Sequence, residues 1–313
     1  MELLAIVAGL FLLIKGGDWL LESSVGLSLY LSIPRIVIGM TVVSFATSAP
    51  ELIVSLQSAV SGHPDLALGN VVGSNIANIA FVLAITILIS PIQVTKSFYQ
   101  TDWPMMFAAS LLFYFFLWND QQISSIEGGI LFSLLLVFLF ILIRFQKTKA
   151  VEGDNFEDDK PLSIAEILLY FLLGAGSLWL GSESLVKGAV SLAQNLHVSE
   201  RIISISIISV GTSIPELSAS IIAVLRKEKA LSLGNLIGSN MFNILAVMGL
   251  TALVHPIAKV DNRLLTHDIF WMLGISLLVL PLVFVPSGKQ LGRFDGVLLF
   301  ALYLLFLGPM LLG

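Results

Sequence analysis

Apolar residues run along this chain in long stretches, and the polar residues that interrupt them recur in the same order twice. Stretches able to cross about 30 Å of hydrocarbon fall at 2–29, 33–60, 64–90, 103–118 and 123–144. A second set falls at 162–195, 198–225, 230–255, 266–285 and 293–312. The pattern predicts an all-α integral membrane protein of ten transmembrane helices. Between the sets lies the one clearly polar connection, 145–161, reading FQKTKAVEGDNFEDDKP.

The two sets repeat each other. Glu51 and Glu216 are 165 residues apart, as are Pro50 and Pro215, Asp18 and Glu183, Gly69 and Gly234, Asn78 and Asn243, and Pro91 and Pro256. From Leu66 to Ile79, nine of fourteen positions are identical in the second copy. A repeat of this length decides architecture before any local propensity does. Residues 1–144 form a first five-helix repeat, with its densest motif at about 39–79. Residues 162–313 form a second, with the equivalent motif at about 204–244. Five spans is an odd number, so the second half enters the membrane from the opposite side. The expected arrangement is two inverted five-helix repeats, which places a transport site at the midplane between them.

Positive charge gives the orientation. With the N-terminus outside, the inner connections hold Arg35, Lys96, Arg144, Lys147, Lys149, Lys160, Arg226, Lys227, Lys229, Lys289 and Arg293; the outer ones hold only Arg201, Lys259 and Arg263. Both termini are expected outside and the 145–161 linker in the cytoplasm of a cell (inner) membrane protein.

Composition narrows the chemistry. Of 313 residues, 57% are hydrophobic and only 12% charged, against about 25% charged in soluble domains. There is no cysteine, which excludes disulfides and thiolate metal sites. His63, His197, His255 and His267 lie scattered near predicted helix ends. The first apolar run follows an acidic start without a convincing cleavage site, and reads as a membrane helix. The net charge of −5 lies partly in 151–160 and offers no basic face to nucleic acid. The acidic linker lacks the spacing and central glycine of an EF-hand and reads as a solvated connection.

Two stretches carry the chemistry, FATSAPELIVS at 45–55 and VGTSIPELSAS at 210–220. A carboxylate at the centre of a membrane span costs about 2.5–3.5 kcal/mol or more. On a helix, Ser44, Thr47, Ser48, Glu51 and Ser55 form one polar stripe; Ser209, Thr212, Ser213, Glu216 and Ser220 repeat it. Pro50 and Pro215 deprive the carbonyls of Ala46 and Gly211 of their helical donors and are expected to kink each helix. A freed carbonyl is tolerated at membrane depth where it lines a cavity or meets an ion. The next span adds Asn70, Ser74 and Asn78, then Asn235, Ser239 and Asn243. Gly69 with Gly73 and Gly234 with Gly238 are small-xxx-small pairs suited to close helix approach.

The donors are carboxylates, hydroxyls, amide oxygens and carbonyls, which suit Ca²⁺, Na⁺ or Mg²⁺ and not zinc or copper. Ca²⁺ accepts six to eight oxygens in loose geometry and fits four flexible helices best. Two ionised glutamates are neutralised by one Ca²⁺ or nearly so by two or three Na⁺, and a site that holds either load but not both is the basis of exchange. The bland alternative, in which Ser and Thr bond back to their own helix and Pro only bends it, must hold twice over. Elsewhere, Lys15–Asp18 and Glu183–Lys187 have helical ion-pair spacing, and Glu22 lies on the first span; these are left out of the site.

At these residues the chain resembles the sodium/calcium exchanger family of the calcium/cation antiporter superfamily, in its prokaryotic type. G-T-S-x-P-E followed by G-S-N-x-x-N is that family's repeated motif. The resemblance implies alternating-access exchange of Ca²⁺ for Na⁺, electrogenic, by a protein that acts as a monomer in the lipid bilayer without a cofactor. It implies Glu51 and Glu216 as central ligands, with Thr47 and Thr212 completing a Ca²⁺ site. Ser48, Ser74, Ser213 and Ser239 would line flanking Na⁺ sites, Ser44 and Ser209 would supply carbonyls there, and Asn78 and Asn243 would border the middle position. Ala46 stands where the family usually has glycine. The neutral Asn78 and Asn243 resemble the potassium-independent branch, and neither motif matches the wording of the proton-coupled branch. The glutamates remain titratable, so H⁺ competes at low pH; Sr²⁺ and Mn²⁺ also suit an oxygen cage. The rival readings are a Ca²⁺/H⁺ exchanger on the same scaffold and a cation channel; no nucleophile–base pair or cofactor motif points to an enzyme.

Overall fold

The computed structural model describes residues 2–146, 162–196, 209–258, 263–286 and 288–312. Most of the linker and the segment 197–208 lie outside them, so the expectations placed on Lys147, Lys149, Lys160, His197, Arg201 and Lys259 are not addressed. Among the described residues, seven helices are long and apolar enough to cross a membrane. In chain order the helices are α1 (Glu2–Leu31), α2 (Arg35–Val60), α3 (Pro64–Ile89), α4 (Trp103–Asp120), α5 (Ser125–Gln146), α6 (Ile164–Asn195), α7 (Ile214–Leu225), α8 (Lys229–Val254), α9 (Leu264–Phe284) and α10 (Arg293–Leu312). Helix α7 is a shorter apolar helix as described.

Local chemistry marks several starts. Pro64 opens α3 where its missing N–H is not needed. Ser163 and Glu166 form a capping box at α6, with the Ser163 N–H donating to Glu166 Oε2 at 2.8 Å and the Glu166 N–H to Ser163 Oγ at 3.3 Å.

Burial separates the helices into a centre and a flank. In their most apolar stretches 83% of α8 and 72% of α3 is buried, against 28% of α1 and 22% of α6. The flanking pair runs antiparallel along a glycine seam. A Cβ on Gly16 would lie 2.8 Å from the Leu178 nitrogen, and one on Gly181 would lie 2.9 Å from the Gly9 carbonyl oxygen. Backbone therefore rests on backbone, which only glycine permits. Ser23 extends the contact by donating to the Ile167 carbonyl at 2.9 Å.

Short extended segments join the halves at the helix ends. Strand β1 (Ile92–Gln93) pairs antiparallel with β2 (Gln290–Leu291), and Ile123 bridges Ile257. Ile92 and Ile257 are 165 positions apart, so each half offers the same position to the other's opposite end.

The two motif copies differ at their prolines: Ser44–Val60 is one helix with Pro50 inside it. In the second copy the helix is interrupted at Thr212–Ser213, and α7 restarts with Pro215 in its first turn. Asp18, at ion-pair spacing from Lys15, pairs elsewhere. It accepts from Arg226 Nη2 at 2.8 Å and Nε at 3.2 Å, because the fold brings the end of α7 against α1. Glu183 and Lys187 do pair, at 2.7 Å. The second glycine pair makes the close approach expected of it: a Cβ on Gly234 would run into the Ile36 carbonyl oxygen, and one on Gly238 would lie 2.5 Å from that of Met40. By the repeat, the equivalent of Ile36–Met40 is 201–205, outside the described residues.

Candidate functional site

Helices α2, α3, α7 and α8 turn their polar stripes toward one another, and the stripes interlock across the repeat. Thr47 Oγ1 donates to Asn235 Oδ1 at 3.2 Å and lies 3.3 Å from Ser239 Oγ. Ser48 Oγ donates to Glu216 Oε1 at 3.4 Å. Ser74 Oγ lies 3.2 Å from Thr212 Oγ1. Ser44 Oγ is 2.8 Å from the Gly39 carbonyl and 2.9 Å from that of Asn235, while the Ser44 carbonyl accepts from Thr47 at 3.4 Å. Every one of these contacts except the bonds within α2 joins one half to the other.

A second tier holds each half together internally. Asn70 Nδ2 donates to Ser55 Oγ at 3.0 Å and to the Glu51 carbonyl at 3.3 Å. Asn235 Nδ2 donates to Ser220 Oγ at 3.2 Å, the equivalent bond in the second half. Ser55, Ser220 and Asn70 thus brace neighbouring helices.

Of the twelve residues singled out in the sequence, ten are buried: Ser44, Thr47, Ser48, Glu51, Ser74, Asn78, Ser213, Glu216, Ser239 and Asn243. Thr212 is half-buried, and Ser209 opens the short turn Ser209–Gly211 before the break. Among the described residues, Glu51 Oε1 and Oε2, Glu216 Oε2, Ser213 Oγ, Asn243 Oδ1 and both amide atoms of Asn78 find no hydrogen-bond partner. Buried polar atoms are almost always satisfied, and an unpaired buried carboxylate is the costliest exception. Carboxylate, hydroxyl and amide oxygens of this kind are the donors that a hard cation takes.

Two features escaped the sequence reading. The Gly211 carbonyl, expected to face an ion, accepts from Ser182 of α6 at 2.9 Å. Asn75 and Asn240 fall one position off the Asn70–Ser74–Asn78 stripe, yet Asn75 Nδ2 donates to the Asn240 carbonyl at 3.3 Å and Asn240 Nδ2 to the Asn75 carbonyl at 3.2 Å. Their identity at the repeat offset was the available signal. Both motif asparagines, Asn78 and Asn243, begin a widened π-helical turn, Asn78–Leu83 and Asn243–Met248. Such turns are frequent at functional sites.

Known proteins match nearly the whole chain. The inner membrane protein YrbG of Escherichia coli (strain K12) is 34% identical over 303 residues, covering 94% of this chain and 92% of its own. The sodium/calcium exchanger MaX1 of Methanosarcina acetivorans is 27% identical over 342 residues, covering 97% of each. The solved structure of the sodium-calcium exchanger NCX_Mj soaked with zero Na⁺ and Ca²⁺ superposes with a TM-score of 0.83 at 27% identity, covering 98% of both chains. The same exchanger soaked with Na⁺ and Sr²⁺ gives 0.82 at 28% identity, over 98% of this chain and 97% of its own. The sodium/calcium exchanger protein family matches residues 1–144 and 166–311; with one buried carboxylate in each of two matching stretches of a multi-pass membrane protein, this chain is a member of that family of cation antiporters.

Proposed function

We propose that this protein exchanges Na⁺ for Ca²⁺ across the cell membrane by alternating access, electrogenically and without K⁺. The observation that carries the reading is the set of unpartnered buried oxygens on Glu51 and Glu216, one carboxylate from each half. Glu51 and Glu216 are the central ligands, joined for Ca²⁺ by Thr47 and Thr212. Ser48, Ser74, Ser213 and Ser239 line the Na⁺ positions beside the carbonyls of Ser44 and Ser209, and Asn78 and Asn243 border the middle. Sr²⁺ and Mn²⁺ are further candidate ions for such a cage.

The architecture is two inverted five-helix repeats, 1–144 and 162–313, with both termini outside and the 145–161 linker in the cytoplasm. End contacts support this alternation. Arg35 pairs with Glu228, and Lys229 Nζ donates to the Pro91 carbonyl at 2.8 Å, all at ends assigned inside. Asn195 Nδ2 donates to Glu2 Oε1 at 3.2 Å, both at ends assigned outside. The difference between the unbroken first copy at Pro50 and the interrupted second copy at Thr212–Ser213 fits repeats that exchange conformations as access alternates.

The test is radiolabelled Ca²⁺ uptake by purified protein in tight, Na⁺-loaded liposomes diluted into Na⁺-free buffer at constant pH. A K⁺-loaded control with the membrane potential clamped completes it. Uptake is expected only with Na⁺ inside. Uptake indifferent to Na⁺ that follows an imposed pH gradient would move the protein to Ca²⁺/H⁺ exchange and remove the Na⁺ roles of the serines.

A further inference from the structure

Hydrogen-bond bookkeeping around Asn75 determines which way a neighbouring amide points. The Asn240 backbone carbonyl can only accept, so Asn75 must turn its Nδ2 toward it, at 3.3 Å. Asn75 Oδ1 then faces the other way as an acceptor, and it receives Asn243 Nδ2 at 3.2 Å. With its donor so engaged, Asn243 leaves Oδ1 buried and without a protein partner. An amide free to rotate offers a cation either N–H or oxygen; one held in this way offers only oxygen. Asn75 is itself buried at 1% exposure, and its Nδ2 lies 3.7 Å from the Met272 sulfur.

The repeat predicts a mirror bond, Asn78 Nδ2 to Asn240 Oδ1, and that bond is not made. Asn240 returns the backbone bond to the Asn75 carbonyl at 3.2 Å, but among the described residues its Oδ1 has no partner, nor has either amide atom of Asn78. The two halves therefore share the backbone clasp and differ in the side-chain relay.

We infer that Asn75 is a positioning residue for cation binding, holding the Asn243 amide with its carbonyl oxygen toward the ion, a task its repeat mate Asn240 does not perform in this conformation. The inference rests on the reading of Asn243 as part of the ion site. A residue that orients a ligand in this way typically changes metal affinity by about 10–100-fold when removed. A purely structural clasp would make Asn75 and Asn240 equally sensitive, since each gives one bond to the other's backbone.

The experiment measures the apparent KM for Ca²⁺ and the maximal rate of Na⁺-driven uptake in proteoliposomes of the full chain. Asn75→Ala, Asn240→Ala and Asn243→Ala are compared with the Asn75→Ala/Asn243→Ala pair. Asn75→Ala is expected to raise KM by about 10-fold or more, and Asn240→Ala by clearly less. Asn75→Ala should add little once Asn243 is already alanine, because coupled residues are non-additive. Equal rises for Asn75→Ala and Asn240→Ala, or an undiminished effect in the double variant, overturn the inference. Should the alanine variants fail to fold, Asn75→Ser and Asn240→Ser, which keep a hydroxyl able to donate and accept, replace them in the same comparison. The KM rise is again expected to be larger for Asn75→Ser, and equal rises overturn the inference. Wild-type protein without Na⁺-driven uptake removes the proposed function and the inference together. Na⁺-driven uptake with a wild-type KM in Asn243→Ala removes the inference alone.

Discussion

Ser48 Oγ, on a helix of the first half, donates to Glu216 Oε1 of the second at 3.4 Å, and one helical turn further along α2 the carboxylate oxygens of Glu51 find no hydrogen-bond partner among the described residues. The site is thus shared between elements that can move apart. Replacing either carboxylate with its amide keeps the volume and removes the charge that a divalent cation needs. Glu51→Gln and Glu216→Gln are each expected to abolish Ca²⁺ transport while the protein still inserts and elutes as a folded species. Size-exclusion profiles and Ca²⁺ uptake check this; normal flux in both variants would remove the assignment.

Cation binding to buried carboxylates should also be visible as stability. A ligand at about 100 times its Kd stabilises the bound fold by about 2.7 kcal/mol. Ca²⁺ is therefore expected to raise the Tm of the wild type in detergent, with much smaller shifts for Glu51→Gln and Glu216→Gln. A thermal-shift titration with Ca²⁺, with Mg²⁺ as control, makes the comparison.

The seam between α1 and α6 leaves no room at Gly16, where an added Cβ would approach the Leu178 nitrogen to 2.8 Å and the Gly174 carbonyl oxygen to 3.0 Å. Gly16→Leu is expected to force the pair apart and slow transport while preserving the Ca²⁺-induced Tm shift, because no ion-site residue lies on α1. Loss of the shift together with transport would place the damage in the central helices.

The Asp18–Arg226 pair joins α1 to the end of α7 across the surface, with the arginine side chain 62% exposed and the aspartate 22%. Exposed ion pairs contribute about 0–1 kcal/mol. Asp18→Asn is expected to lower stability by no more than about 1 kcal/mol, in contrast to Gly16→Leu. Denaturation of the two variants side by side shows which contact holds α1.

The chain's own pattern determined a great deal here. Span positions followed from unbroken apolar runs, and the duplication from the constant offset of Glu51 and Glu216. These are properties of period and composition, so they needed no coordinates. Helical spacing also placed Ser44, Thr47, Ser48 and Glu51 on one face, which the structure keeps. What lay beyond it was contact between segments distant in sequence. Helical periodicity groups residues on one helix, but it does not say which carbonyl a side chain meets across an interface. It therefore set Asp18 at pairing distance from Lys15 when Arg226 was the partner, and gave Asn75 and Asn240, though inside the G-S-N-x-x-N motif, no role because they lie off the predicted stripe. The two copies of T-S-x-P-E also read alike, and both prolines promised a bend. Only the tertiary structure separates them, keeping α2 continuous at Pro50 and interrupting the backbone at Thr212–Ser213, because near-identical sequences in two repeats occupy different packing environments within one asymmetric conformation.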